Sequence, residues 1–200
     1  ESVEQPEMYH DNNVVGGQVL LDVMRRSTCR RFVFSSSCTV YGEPKEIPIP
    51  ENHPRGPVNP YGEGKYQIES WLAEADHDWD LRSVSLRYFN AAGADPDGEI
   101  GELHDPETHV IPCALLAIEG RKPFGINGTD YATPDGTCIR DYVHVSDLAD
   151  AHVRALAYLD QGGQTDAFNL GTGRGASVRD VLHAAEQVTG QTIEAHENPR

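Results

Sequence analysis

The chain has 200 residues, 32 acidic against 16 basic, for a formal net charge of −16. That length fills one domain or one and a half, and with only three lysines, Lys45, Lys65 and Lys122, the chain lacks the clustered cations of a nucleic-acid-binding surface. No apolar run approaches the roughly 20 residues of a membrane span, so no membrane partner is expected.

The opening ESVEQPEMYHDNN is polar and acidic, without the basic start, apolar stretch and cleavage site of a secretory signal. Its first residue is Glu rather than Met, which fits a piece of a longer chain. Val14 to Arg26 has helical periodicity, with Val15, Val19, Leu20, Val23 and Met24 on one stripe. The four cysteines, Cys29, Cys38, Cys113 and Cys138, are widely spaced and form no Cys-x-x-Cys pair, so a zinc framework is not expected and a reduced, cytoplasmic setting is.

Phe32-Val33-Phe34, running into Ser35-Ser36-Ser37, reads as a short strand covered on both faces, as in a parallel sheet. Taken alone, the three serines read as turn formers at its end. Six prolines between Pro44 and Pro60 exclude regular helix and predict an ordered loop. Tyr61 to Ala75 returns to helix, Ser83 to Tyr88 alternates like a strand, and a Gly/Pro/Asp loop follows. Val110 to Glu119 reads as helix and Cys138 to Val145 as strand. Ser146 is the expected N-cap of a helix to Leu159. Phe168 to Leu170 is a strand stub, Ser177 caps a final helix to Val188, and Thr192 to Glu194 begins another strand. The alternation predicts α/β class with a mostly parallel sheet, where ligands bind at the carboxyl ends of strands.

Tyr61 and Lys65 stand four apart at the start of a helix, so both leave the same face. A free phenol has a pKa of about 10, and acting as a base near neutrality needs a downward shift of about 3 units, or about 4 kcal/mol. A neighbouring ammonium, joined by a second positive charge, supplies such a shift. The pair alone is a common coincidence of helices. Gly64 between them costs about 1 kcal/mol relative to Ala, which calls for a reason such as close approach of a ligand or backbone. Ser37, at the preceding strand end, is placed to hydrogen-bond a hydroxyl whose proton the tyrosine takes.

SSSCTVYG at 35–42, PYGEGK at 60–65 and LRYFNAAGA at 86–94 together resemble the extended short-chain dehydrogenase/reductases, the sugar-nucleotide epimerases and dehydratases. Within that family, DYATPDGTCIRDYVHVSDLADAH at 130–152 and FNLGTGRGASV at 168–178 are similar to the UDP-hexose 4-epimerases. The resemblance implies a partial Rossmann-like doubly wound sheet with a smaller interleaved α/β substrate domain. Residues 1–88 would form the later half of the NAD-binding domain and 89–200 mainly the UDP-sugar domain, crossing back around 141–170. It further implies the NAD-dependent interconversion of UDP-glucose and UDP-galactose, by hydride transfer from sugar C4 and return to its other face. Tyr61 is then the acid and base, Lys65 grips the nicotinamide ribose, and Ser37 binds the 4-hydroxyl. Asn12, Ser35, Tyr88 and Phe89 lie with Tyr61 and Lys65 on the cofactor side. Asn90 and Arg140 hold the diphosphate, Tyr142 meets the nucleotide, and Gly125 to Asn127 run along the uracil. His109 and Val110, at a position where many relatives have Asn-Leu, are further substrate-binding residues, His109 at a phosphate contact. The family's Gly-rich cofactor loop belongs to a first βαβ unit with no counterpart in this chain. Relatives pair through two helices per subunit, so a homodimer through helices 14–26 and 61–75 is expected.

Other signals have simpler readings. Gly171 to Ala176 satisfies G-x-G-x-x-A, but the helix is expected to open at Ser177, so the run reads as a domain-crossing turn rather than a dinucleotide loop. His104 and His109, five apart in an acid-bearing loop, lack a recognised ligand spacing and read as loop residues, with no metal expected. Arg140 and Asp141 are strand neighbours facing opposite ways, which favours phosphate over Asp141 as the arginine's partner. Two alternatives remain open. One is a 4,6-dehydratase or decarboxylase on the same scaffold, disfavoured by Cys38-Thr39 where dehydratases carry Asp-Glu, and the other is a non-catalytic sugar-nucleotide-binding protein.

Overall fold

Residues 6–25 wind without a break through α1 (Pro6–Tyr9), a π-helical turn (His10–Val15) and α2 (Gly16–Arg25). Helix therefore begins well before Val14, with Pro6 in the first turn, where its missing N–H costs nothing. Val14 and Met24 are buried, whereas Val15, Val19, Leu20 and Val23 are exposed. The predicted apolar stripe is thus real but mostly uncovered.

The computed structural model describes residues 1–200 and resolves into two units, Glu1–Phe89 with Ser146–Leu170, and Asn90–Val145 with Gly171–Arg200. In the first, β1 (Arg31–Ser37), β2 (Arg82–Tyr88) and β6 (Asp166–Leu170) form a parallel sheet in the order β1-β2-β6. Being central, β2 buries Ser83 through Arg87 on both faces. The three serines continue β1 instead of turning, in register with Leu86, Arg87 and Tyr88. A 3₁₀ turn (Cys38–Tyr41) and the proline-bearing loop lead into α3 (Pro60–Trp79). The Asn59 side chain accepts from Gly62 N at 2.8 Å to cap that helix, and Asp80 closes it in the left-handed region at φ 60°.

One apolar cluster joins Met24, Phe34, Ile68, Leu72, Ala75 and Leu81, and another sets Ala155 and Leu159 of α5 (Val145–Asp160) under Val84 and Leu86. Ser146 lies inside the first turn of α5 rather than capping it. Between helix and sheet runs a buried polar network. Arg87 donates to Glu69 through Nη2 (2.6 Å) and Nε (2.9 Å), and Ser36 Oγ donates to Glu69 at 2.6 Å. Arg87 Nη1 also donates to the Tyr41 hydroxyl (2.7 Å), which in turn donates to Asn169 Oδ1 (2.7 Å). Two charges removed from water are tolerable only with such full pairing.

In the second unit β3 (Asn90–Ala92) runs parallel to β5 (Ile139–His144), which pairs antiparallel with β7 (Gly175–Ser177), while β4 (Phe124–Asn127) runs parallel to β8 (Ala195–Asn198). The core here is Ala114 of α4 (Val110–Ile118), Phe124, Ile126, Leu182 of α6 (Val178–Thr189) and Ile193. Ser177 opens α6 with a reciprocal capping box to Asp180. The short strands β3, β4 and β7 carry no alternation signal, and the last strand starts at Ala195, three residues later than expected. No helix is long and apolar enough to cross a membrane.

Candidate active site

Ser37 is the last residue of β1 and Tyr61 the second residue of α3, so the strand's carboxyl end and the helix start bring them together. The Ser37 hydroxyl stands near enough to the Tyr61 phenol to favour its ionised form. The same Ser37 oxygen accepts from Thr39 N at 3.2 Å and from Thr39 Oγ1 at 3.0 Å, which fixes where it points. One turn along α3, Lys65 Nζ lies 5.5 Å from the centre of the Tyr61 ring and 5.0 Å from that of Phe34, and donates to the Ser35 carbonyl at 3.0 Å. Tyr9 meets Tyr61 edge-on with ring centres 6.3 Å apart.

Burial pushes the Tyr61 phenol above its ordinary value, and the nearby Ser37 hydroxyl only partly offsets this; burial also lowers Lys65. The lysine by itself therefore does not ready the phenol for ionisation. Its ammonium is spent on a carbonyl and two ring faces, and its own desolvation weakens it as a cation.

Gly64 turns out to serve packing. A Cβ there would stand 3.2 Å from Val14 Cγ2, and one on Gly62 would stand 2.8 Å from the Thr39 carbonyl oxygen. Both glycines let α3 approach its neighbours closely, which sets the depth at which Tyr61 and Lys65 emerge. Asn12 falls inside the π turn rather than ahead of a helix, and with Phe34 and Lys65 it lines a cavity of about 160 Å³. Tyr61 lines a separate, more open hollow with Tyr9 and Asn59.

Ser35, Tyr88 and His152 form a triangle that the sequence did not suggest. The Tyr88 hydroxyl stands 2.7 Å from both Ser35 Oγ and His152 Nε2. His152 Nδ1 faces the Leu148 carbonyl at 2.7 Å, which calls for a proton on Nδ1 and leaves Nε2 towards Tyr88 and Ser35. Burial raises the Tyr88 phenol, with the Ser35 bond acting against it. The only trace in the sequence is the i, i+4 spacing of Leu148 and His152. Phe89 follows as the strand leaves the sheet, with its N–H on the Leu170 carbonyl at 3.2 Å.

The remaining candidates lie in the second unit. Asn90 uses its amide nitrogen on the Asp141 carbonyl at 2.9 Å, and its backbone is in register with Tyr142, whose phenol burial raises and Arg140 lowers. Arg140 is exposed, its guanidinium bonded only to the Ile139 carbonyl (2.9 Å), with no acidic partner. Asp141 instead receives Thr172 N (2.9 Å), Thr172 Oγ1 (2.6 Å) and Gly173 N (2.8 Å), pinning the turn that follows the unit boundary at Leu170. Gly125 and Asn127 sit in β4, and Asn127 Oδ1 accepts from Asn198 at 3.0 Å. Val110 begins α4 and packs on its core. The His109 ring is engaged by Glu102 and Glu107.

Residues 1–171 match the NAD dependent epimerase/dehydratase family. The chain is 53% identical over 192 residues to a UDP-glucose 4-epimerase of Rhizobium leguminosarum bv. trifolii, an alignment covering 96% of this chain and 59% of that one. It superposes on the crystal structure of UDP-glucose 4-epimerase from Brucella ovis in complex with NAD with a TM-score of 0.96 at 50% identity, covering 100% of this chain and 62% of that one. For the Bifidobacterium longum enzyme in complex with NAD+ and UDP the TM-score is 0.87 at 40% identity, over 100% and 60%. The chain thus spans about three fifths of the length of such relatives.

Proposed function

This chain belongs to the NAD dependent epimerase/dehydratase family, and from that premise we propose that the whole protein interconverts UDP-glucose and UDP-galactose with resident NAD. The observation that carries the proposal is the meeting of Ser37, Tyr61 and Lys65 at one strand end and helix start, in a chain half identical to UDP-glucose 4-epimerases.

Tyr61 takes the proton of the sugar 4-hydroxyl and later returns one, while Ser37, oriented by Thr39, holds that hydroxyl by a hydrogen bond. Bound NAD would supply the hydride acceptor and donor at C4. The phenol's raised pKa means that the positive charge of the oxidised ring must complete what Lys65 leaves unfinished. Lys65, tied to Ser35, fits a role holding the nicotinamide ribose, and the cavity that it lines with Asn12 and Phe34 fits part of the cofactor. Tyr88, Phe89 and Ser35 complete that side. Asn90 and Arg140 would take the diphosphate, Arg140 having no acid to compete with it, and Tyr142, Val110 and the β4 backbone at Gly125 to Asn127 would meet the nucleotide. His109 is left out of this set, because its ring is held by two glutamates.

The exposed Val15, Val19, Leu20 and Val23 of α2 support a homodimer paired through this helix, and four unbridged cysteines suit a cytoplasmic setting. The test is to incubate the whole protein with UDP-galactose, adding no cofactor, and follow UDP-glucose. Conversion without net change in nicotinamide absorbance is expected. No conversion by protein shown to carry NAD would overturn the proposal.

A further inference from the structure

Between β3 and α4 the chain runs from Gly93 to His109 without helix or strand. Near its end His104, Glu107 and His109 converge, with one ligand-type atom from each lying within 4.8 Å of the others. Both imidazoles aim Nδ1 at the same carboxylate oxygen, Glu107 Oε1, at 3.7 Å from His104 and 3.4 Å from His109. Glu102 Oε1 closes on His109 Nδ1 as well. The two rings stack with centres 5.1 Å apart and planes 28° from parallel.

Glu107 is the anchored member. Its Oε1 accepts the backbone N–H groups of Thr108 and His109, each at 2.8 Å, and its main-chain carbonyl accepts from Lys122 Nζ at 2.9 Å. Its side chain is 11% exposed, against 46% for His104 and 62% for His109. A fixed, largely covered carboxylate facing two solvent-accessible rings is the arrangement a metal ion needs: one ligand preset, the others free to swing into place. A cation among them satisfies both ring nitrogens and both glutamates together.

We propose that His104, Glu107 and His109, with Glu102 as a further carboxylate, form a binding site for a first-row divalent cation of the zinc type. Two nitrogen donors beside carboxylates select zinc, or cobalt as its spectroscopic substitute, over magnesium and calcium, which prefer all-oxygen sites. Four ligands drawn from a stretch of eight residues would close the segment from Glu102 to His109 into a clip ahead of α4. The site is separate from Ser37, Tyr61 and Lys65 in its residues and chemistry.

The test is titration of the whole protein with Co2+, followed by displacement with Zn2+, beside His104→Ala and Glu107→Gln variants whose circular dichroism matches the parent. One equivalent of Co2+ with the visible bands of nitrogen and oxygen coordination is expected, displaced by Zn2+ and unaffected by excess Mg2+. Each variant should lose affinity at least about tenfold, and hydrogen exchange across Glu102 to His109 should slow only when metal is added to the parent. Equal affinity in parent and variants would overturn the proposal. So would an intense sulfur-to-cobalt charge-transfer band, which would place the ion on a cysteine instead.

Discussion

The buried Glu69–Arg87 pair of the first unit and the exposed Arg140, His104 and His109 of the second handle their polarity in opposite ways. In the first, Glu69 and Arg87 are almost fully buried and close on each other, on Ser36 and on Tyr41, and this network ties α3 to the strands that present Ser37 and Tyr88. In the second, Arg140, His104 and His109 stay exposed, each held by weaker or accessible partners. The contrast has a physical reading. Groups that position an acid or base must not move, so their hydrogen bonds are satisfied inside the fold. Groups that receive a mobile anion or cation must keep capacity in reserve, so theirs are left to solvent.

Breaking the buried pair should therefore be the most damaging change. Glu69→Ala strands the Arg87 guanidinium, whose charged form burial disfavours and Glu69 and Tyr41 restore. The expected loss is about 3–5 kcal/mol in denaturant unfolding. A loss below about 1 kcal/mol, the net worth of a single ordinary hydrogen bond, would show the network to be slack. Leu72→Ala, at a position of α3 that is 1% exposed, should cost about 2–5 kcal/mol by leaving a cavity. In the second unit Ser177→Ala removes the capping box of α6 and should cost about 1 kcal/mol, read as a lower denaturation midpoint at unchanged slope.

Arg140→Ala sharpens the comparison from the other side. Stability should stay within about 0.5 kcal/mol, while UDP affinity by calorimetry should fall about tenfold, the worth of one hydrogen bond to a charged group. A large stability loss with UDP binding intact would reverse the assignment.

The smallest effect concerns pH. Because the folded state holds the Tyr61 proton more tightly than the unfolded chain does, folded protein binds more protons above pH 10, so stability declines as pH rises from there towards the folded pKa. Tyr61→Phe should flatten that decline slightly, and a steeper one would mean the phenol's pKa is lowered instead.

What could be read from the sequence was local. Spacing alone put Tyr61 and Lys65 on one face of a helix, and Ser177 at a cap. What could not be read depended on partners far along the chain. Val15, Val19 and Leu20 form an apolar stripe whether or not anything covers it, and here little does. The sequence leads one to expect the phenol lowered by its lysine together with a second positive charge, and only the structure shows that Ser35 and Phe34 already engage that ammonium. A lone arginine at position 87 in an otherwise uncharged strand interior was a legible hint of a buried acid, though nothing nearby in sequence named Glu69. His104 and His109 resembled no ligand motif because the path of the loop, rather than helical pitch, brings them together.

The central claim is that Tyr61 moves the proton while its surroundings only hold it in place. The direct measurement is Tyr61→Phe in the whole protein, with turnover of UDP-galactose followed beside binding of UDP-glucose and content of NAD. The account predicts a fall in kcat of about 10²- to 10⁴-fold with both ligands still bound; turnover near the parent's, or loss of ligand binding in place of catalysis, would contradict it.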